Sequence, residues 1–220
     1  MKAVFFDFDG TLTHKSKNIW QKIWSRLGYD LGEGSLYRKL YEDFITKKIS
    51  HQQWCDLSLA EYKSKGMNLS ILNELTKDIT LIDGAVETFK KLKQQGFSLH
   101  IVSGNIFQVI KMVLGDNIEY FDSIVANEFL FDDEDNLAYI QGTKYDCEGK
   151  AEYVKEFCNK TSSNSQDMYF VGNGFNDEWV HMSGCKTICV NPDDTDKNNT
   201  TMWHKVLYID NLTELLPYIL

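Results

Sequence analysis

The sequence lacks the features that would place the protein in a membrane or in a disulfide-stabilised class. None of its apolar runs approaches the roughly 20 residues that a bilayer-spanning helix needs. The four apolar or aromatic residues between Lys2 and Asp7 are too few for the core of a secretion signal. Five scattered cysteines include no CxxC pair, which argues against a disulfide framework and against a zinc site. We therefore expect a reduced, cytoplasmic protein with no membrane association.

Proline and positive charge are also scarce. Only two prolines occur in 220 residues, and 43% of the residues are hydrophobic, a balance typical of a globular chain with a sizeable core. The 32 acidic residues outnumber the 23 basic ones, which gives a net charge of −9 and argues against a general nucleic-acid-binding protein. Nothing in the sequence indicates an obligate protein partner.

The order of apolar patterns predicts an α/β fold with a helical insertion. A short apolar strand at residues 3–8 is followed by helical patterns, with no convincing strand pattern before residue 80. Beyond it, strand and helix patterns alternate, which is typical of a Rossmann-like, doubly wound parallel sheet with reactive loops at the carboxyl ends of its strands. We predict an α/β core of residues 1–12 and 80–220, and a small all-helical unit of residues 13–79 inserted after the first strand.

The second half of the chain shows three further local patterns. Residues 128–131 and 137–141 flank an acidic run, which predicts a hairpin with a polar turn. Residues 191–201 are rich in polar side chains and predict a loop. Apolar residues spaced from Leu212 to Ile219 predict a terminal helix.

The first polar cluster follows the first predicted strand. Asp7 and Asp9 are two residues apart, so their side chains point the same way in an extended segment and could face one cleft. Paired carboxylates at a strand end suit metal binding, or a nucleophile beside a general acid/base. An ordinary turn is the alternative, because Asp9-Gly10 is a common turn pair.

Three further polar clusters follow later strands. Ser103 and Gly104 lie between a predicted strand and a helix, where a hydroxyl and free N–H groups form a phosphate site or simply cap the helix. Lys150 stands at the start of a predicted helix, where the macrodipole does not favour a cation, so it serves an anion or is solvated. Asn173 and Asp177 belong to a glycine-rich polar loop that could face a metal ion.

The order and spacing of these four clusters resemble those of the haloacid dehalogenase superfamily, and in particular its phosphatases with a helical cap. DFDGT at 7–11 matches the DxDGT loop, VSGN at 102–105 the serine motif, Lys150 the lysine motif and GNGFND at 172–177 the final acidic motif. The resemblance spans essentially the whole chain, with the insertion in the position of the cap. Phosphoserine phosphatases look most similar.

The resemblance implies a phosphomonoester hydrolase that depends on Mg²⁺ and acts on a small phosphorylated metabolite. Asp7 would attack phosphorus and become an aspartyl-phosphate, and Asp9 would protonate the leaving alcohol and then activate water. The residues implied to hold the phosphoryl oxygens are Thr11, Ser103, Gly104 and Lys150. The metal ligands implied are Asp7, the Asp9 backbone carbonyl and Asn173, with Asp177 inside or behind that shell.

The chain departs from phosphoserine phosphatases in three places. They usually carry aspartate where this chain has Asn173, and a glutamate for the substrate amine where it has Ser16. They also carry a cap arginine for the substrate carboxylate, and residues 51–66 contain none. We therefore expect a substrate other than phosphoserine. The alternatives are a phosphotransferase or mutase, or a phospholigand-binding protein with a weakened metal site, whereas Asp9 disfavours a dehalogenase.

The tryptophans of the helical unit allow two interpretations. Trp20, Trp24 and Trp54 form an aromatic pocket for the body of the substrate, or they form the core of the helical unit, which their helical spacing favours. Lys15 and Lys17, at the start of the same unit, steer an anion toward the site or belong to a solvated linker.

Overall fold

A single mixed sheet organises the computed structural model, which describes residues 1–15, 18–192 and 202–220. Its strands are β1 (Lys2–Phe6), β2 (Phe97–Ile106), β3 (Ser123–Phe131), β4 (Leu137–Gln141), β5 (Met168–Gly172), β6 (Lys186–Val190) and β7 (Lys205–Leu207). They lie in the order β4-β3-β2-β1-β5-β6-β7, with β4 antiparallel to β3 and all other neighbours parallel. Ser16, Lys17 and residues 193–201 of the predicted polar loop lie outside the described residues.

Helices connect these strands within the described ranges. The α-helices are α1 (Ile19–Arg26), α2 (Leu36–Ile45), α3 (His51–Ser64), α4 (Leu69–Thr76), α5 (Ala85–Gln94), α6 (Phe107–Leu114) and α7 (Glu148–Thr161). Short 3-10 helices cover Gly115–Tyr120, Ser165–Asp167, Phe175–Ser183 and Leu212–Tyr218. No helix in the described part of the chain is both long and apolar enough to cross a membrane. The predicted α/β, Rossmann-like fold is confirmed.

The central strand β1 is apolar on both of its faces. Val4 and Phe6 pack on one side in a cluster with α5 and the C-terminal 3-10 helix, and Ala3 and Phe5 pack on the other side against α7. Successive side chains of a strand point to opposite faces, so a sheet covered on both sides needs apolar residues at every position. The residues that follow Phe6 therefore lie at the carboxyl end of a strand that is buried from Ala3 to Phe6.

The four helices between residues 19 and 76 each begin at a polar N-cap. The side chains that accept a hydrogen bond from the first turn are those of Asn18, Ser35, Ser50 and Asn68. The helices enclose a cluster that includes the fully buried Trp24 and Leu72, and Phe129 of β3 and Ile140 of β4 belong to the same cluster. The helical unit therefore shares its core with the hairpin of the sheet.

Strand β2 is longer than its sequence pattern indicates. The apolar run predicts a strand that ends at Val102, but the strand continues to Ile106, and α6 begins at Phe107 without a side-chain cap. The register of β2 against β3 shifts between Val102 and Ile106. Ser103, Gly104 and Asn105, here called the serine segment, thus lie in an irregular strand end rather than at the N-terminus of a helix.

His100 is a buried histidine on β2. Its Nδ1 shares a hydrogen bond with the Ser123 hydroxyl at 2.8 Å, its Nε2 shares one with the Ser98 hydroxyl at 3.1 Å, and its ring stacks on Phe5. Burial lowers the pKa of His100 to about 4. The ring is therefore neutral in the folded protein at neutral and mildly acidic pH.

We expect His100 to make the fold acid-sensitive. An unfolded histidine titrates near pH 6.5, so between that pH and about 4 the unfolded state binds more protons and the free energy of unfolding decreases as pH falls. The complete effect is about 3 kcal/mol, since one pKa unit is worth about 1.4 kcal/mol. Urea denaturation of the wild type and His100→Asn at about pH 7.5, 6 and 5 measures it. The variant should lose less stability with acid; an equal loss in both proteins would contradict the prediction.

Candidate active site

Carboxylates that follow β1 and β5 meet one lysine at the carboxyl edge of the sheet. Asp7 is buried, and its Oδ1 accepts a hydrogen bond from Lys150 Nζ at 2.9 Å. Lys150 Nζ also donates to Asp177 Oδ1 at 2.5 Å, and neither Lys150 nor Asp177 is exposed. A single ammonium group thus connects the segment after β1 with the loop after β5.

Lys150 lies in the first turn of α7, and it pairs with two carboxylates rather than with solvent. Burial alone would lower the pKa of Lys150, but the Asp177 and Asp7 carboxylates hold it above its usual range. The local carboxylates outweigh the helix macrodipole, which disfavours a cation at this end of the helix. Lys150 therefore remains a buried positive charge beside Asp7.

Asp9 lies at the cavity next to Asp7 and is oriented by the serine segment. Its Oδ1 accepts a hydrogen bond from Asn105 Nδ2 at 2.8 Å. Burial, and after it the negative charge of Asp7, raises the pKa of Asp9 to about 7. A carboxyl group with such a pKa can carry a proton and later release it at neutral pH, as general acid/base catalysis requires. The Asn105 contact was not predicted, because only the fold brings together residues this far apart in the chain.

Asn173 faces the loop that follows β1. Its Oδ1 accepts a hydrogen bond from Thr11 Oγ1 at 3.3 Å. Gly10 has a φ of +71°, and a Cβ at this position would lie 2.4 Å from Asn173 Nδ2, so both the backbone and the available space require glycine. Thr11, which the resemblance assigns to the phosphate, is fully buried and orients the Asn173 amide in this structure.

The Asp177 side chain is hydrogen-bonded to the backbone of the glycine-rich loop. Its Oδ2 accepts hydrogen bonds from the backbone N–H groups of Asn173 at 3.0 Å and Gly174 at 3.1 Å, while Oδ1 is held by Lys150. Burial raises the pKa of Asp177, and the Lys150 ammonium opposes this rise. Both oxygens therefore already have protein partners.

The serine segment is bound to the helical unit. Ser103 is buried, and its Oγ accepts a hydrogen bond from the backbone N–H of Asn105 at 3.2 Å. The Gly104 carbonyl accepts hydrogen bonds from Trp20 Nε1 at 2.9 Å and from Asn127 Nδ2 at 2.7 Å. Asn127 of β3 was not predicted as a site residue, because no motif in the sequence marks it.

A cavity of about 310 Å³ joins these residues to the helical unit, within the range of small-molecule sites. The polar residues of its lining include Asp7, Asp9, Ser103, Gly104 and Asn173. The aromatic residues of its lining are Phe175, from the loop after β5, and Trp20, Tyr37, Tyr41, Phe44, His51 and Trp54, from the helical unit. Trp24, by contrast, is fully buried in the core of the helical unit. All three tryptophans belong to that core, as their helical spacing favours, and Trp20 and Trp54 also line the cavity.

The oxygen donors of the site fit a hard divalent cation. Asp7, Asp9 and Asp177 bring three carboxylates, and Lys150 is the positive charge that directly contacts two of them. Mg²⁺ commonly takes only one or two protein carboxylates and completes its shell with other oxygens and water. The described residues contain no group of three or more His, Cys, Asp or Glu side chains placed to hold a metal ion, so backbone and amide oxygens would have to contribute to the shell. Asp7, the Asp9 carbonyl and Asn173 remain the candidate ligands.

A sequence model of the haloacid dehalogenase-like hydrolases matches residues 4–177, from β1 through Asp177. The chain belongs to this family. The match includes all four polar clusters and confirms the resemblance that their order predicts.

This haloacid dehalogenase-like hydrolase is similar to phosphoserine phosphatases. It is 25% identical to the phosphoserine phosphatase of Methanocaldococcus jannaschii over 225 residues, which cover 99% of this chain and 97% of that protein. It is 26% identical to the phosphoserine phosphatase of Archaeoglobus fulgidus over 80% of this chain, but spans only 48% of that protein. A crystal structure of phosphoserine phosphatase in apo form shares the fold, with a TM-score of 0.75, 22% identity and coverage of 100% and 99% of the two chains. The predicted enzyme class, a phosphatase of this family, is confirmed.

Proposed function

We propose that the protein is a magnesium-dependent phosphomonoester hydrolase that forms a phosphoaspartate on Asp7. The observation that carries this proposal is the buried Asp7–Lys150 pair beside Asp9, whose pKa is raised to about 7. The ammonium offsets the charge of the attacking carboxylate as it approaches an anionic ester. The neighbouring carboxyl group holds the proton that the leaving alcohol needs.

The proposed reaction has two steps. In the first, an Asp7 oxygen bonds to phosphorus, the ester P–O bond breaks, and Asp9 gives its proton to the leaving alcohol. In the second, ionised Asp9 takes a proton from water, whose oxygen attacks phosphorus and releases phosphate from Asp7. Lys150 and the serine segment stabilise the phosphoryl oxygens, and Asn105 orients Asp9. Mg²⁺ held by Asp7, the Asp9 carbonyl and Asn173 would supply further neutralisation of the phosphoryl charge.

Phosphate release from an aryl phosphate tests this function. We expect release in the presence of Mg²⁺ and its loss when a chelator is added. Transfer of phosphate to an added alcohol, with no free phosphate formed, would support a phosphotransferase instead. Tight binding of phosphate esters without any turnover would support the phospholigand-binding alternative.

The arginines of the chain argue against phosphoserine as the preferred substrate. The sequence contains only Arg26 and Arg38. Each forms an ion pair on the exposed surface of the helical unit, Arg26 with Glu74 and Arg38 with Glu42. The carboxylate of phosphoserine would then enter the cavity without a guanidinium partner. Lys15 lines the cavity, but its flexible ammonium lacks the planar two-donor geometry with which arginine binds a carboxylate. Ser16, at the position of the amine-binding glutamate, lies outside the described residues.

We expect Asn173→Asp to lower the Mg²⁺ concentration that gives half-maximal activity by about threefold or more. An amide oxygen can bind Mg²⁺ but brings no negative charge, whereas aspartate does and still accepts the Thr11 hydrogen bond. Magnesium titrations of the wild type, Asn173→Asp and Asp177→Asn measure the effect. An unchanged half-saturation point in Asn173→Asp, together with a large increase in Asp177→Asn, would assign the ligand role to Asp177.

A further inference from the structure

The helical unit presents five stacked or tilted aromatic rings to the cavity, here called the aromatic wall. Tyr37 and Tyr41 stack with centroids 6.0 Å apart, Phe44 stacks on Trp54 at 5.6 Å, and Trp20 lies 4.4 Å from Trp54. The indole N–H of Trp20 is hydrogen-bonded to the serine segment. The aromatic wall thus begins next to the proposed phosphate site and lines the same cavity.

A carboxylate that the mechanism does not use lines the same cavity. Asp146 Oδ1 accepts hydrogen bonds from the Cys147 N–H at 2.9 Å and Asn176 Nδ2 at 3.2 Å, and its Oδ2 lies 2.6 Å from where a Cβ of Gly104 would be. Burial raises the pKa of Tyr41 to about 12, and the charge of Asp146 is among the neighbours that add to the rise. The negative charge of Asp146 therefore acts on the aromatic wall.

His51 adds an acceptor without a protein donor. Asn127 Nδ2 donates to the Gly104 carbonyl, so Asn127 Oδ1 is the acceptor that lies 2.8 Å from His51 Nε2 and 2.9 Å from the Thr143 N–H. This network assigns the proton of a neutral His51 to Nε2 and leaves Nδ1 as an acceptor. Nδ1 is buried and has no hydrogen-bond partner among the described residues. His51 thus contributes a polar ring, held in place by Asn127, to the lining of the cavity.

We propose that the leaving group recognised by this cavity is a short alcohol with an ammonium group at its far end and no carboxylate. Aromatic faces and a nearby carboxylate both attract a cation. Both arginines of the chain are engaged elsewhere, so a carboxylate on the leaving group would lack a guanidinium partner. This inference rests on the proposed phosphatase function, because it names the chemistry of the leaving group at the same site.

Three phosphate esters that differ by one group at a time test the inference. Ethanolamine phosphate replaces the terminal methyl of propyl phosphate by an ammonium, and phosphoserine adds a carboxylate to ethanolamine phosphate. We expect kcat/KM for ethanolamine phosphate to exceed that for propyl phosphate by about tenfold or more. We also expect kcat/KM for ethanolamine phosphate to exceed kcat/KM for phosphoserine by about tenfold or more.

An aryl phosphate assayed in parallel separates this inference from the function on which it rests. If neither the aryl phosphate nor any of the three esters is hydrolysed, the proposed function fails and the inference with it. If the aryl phosphate is hydrolysed but propyl phosphate or phosphoserine equals or exceeds ethanolamine phosphate, the inference alone is overturned.

Variants test whether the preference for an ammonium group arises in this cavity. The measured quantity is kcat/KM for ethanolamine phosphate divided by kcat/KM for propyl phosphate. Asp146→Asn keeps the hydrogen-bonding oxygen and removes the charge, so the ratio should fall by about fivefold. Tyr41→Leu should also lower it, whereas Tyr41→Phe, which keeps the ring, should not. Glu148→Gln is the matched control, because it removes an acidic charge that pairs with Lys47 outside the cavity. An unchanged ratio in Asp146→Asn, or an equal fall in Glu148→Gln, would overturn the inference.

Discussion

Asp7→Asn is expected to lower phosphate release by at least about a thousandfold, with the fold retained. An amide cannot serve as the attacking carboxylate, but its oxygen can still accept the hydrogen bond from Lys150. Phosphate release measures the rate, and far-UV circular dichroism monitors the fold. Wild-type protein quenched in acid during turnover should carry an added phosphoryl group by mass spectrometry, and the variant should not.

Asp9→Asn is the matched control for this experiment. The amide introduced at this position retains an oxygen for the Asn105 hydrogen bond but can neither give nor take a proton. With an aryl phosphate, whose leaving group needs no acid, the first step should proceed and the phosphorylated protein should accumulate. A rate for Asp7→Asn within about tenfold of the wild type would contradict the covalent mechanism.

Lys150→Met is expected to lower the free energy of unfolding by about 3–5 kcal/mol and to abolish turnover. The fully buried ammonium contacts both Asp7 and Asp177, so its removal leaves two carboxylates together without their shared counter-charge. Urea denaturation measures the loss of stability, and phosphate release measures the loss of activity.

Two further variants test the cause of that destabilisation. In Lys150→Met combined with Asp177→Asn, one of the stranded charges is removed, so part of the stability should return while activity stays absent. Lys144→Met removes a lysine that pairs with Glu156 on the exposed surface, and it should change stability little. If Lys150→Met is no less stable than Lys144→Met, the buried ion pairs do not have the role assigned to them.

The fold was predictable because its strands are short apolar runs that alternate with helical patterns and end at polar clusters. The parallel sheet then places Asp7 and the loop of Asn173 and Asp177 side by side, since β1 and β5 are neighbours. Elements with weak patterns were not predictable. The three-residue strand β7 is too short to show a period, and the predicted C-terminal helix is a 3-10 helix that contains Pro217.

The candidate site was predictable only in its motif residues. Contacts such as Asn105 with Asp9, or Asn127 with Gly104, depend on the register shift in β2, which the sequence does not reveal. The aromatic lining was equally hidden. Helical spacing predicts the core to which Trp20 and Trp24 both belong, but it does not reveal that Trp20 also lines the cavity. The catalytic roles of the motif residues remain predictions.

The hydrophobic cluster shared by the helical unit and the hairpin has a consequence for folding. Residues 13–79 are contiguous in the sequence, but their removal would uncover Phe129, Leu137 and Ile140, at about 25 cal/mol for each Å² of apolar surface exposed. The hairpin cannot keep its buried face without the helices, and the helices lack part of their core without the hairpin. We therefore expect the two regions to unfold in one cooperative transition, so that the inserted segment is not an independent folding unit.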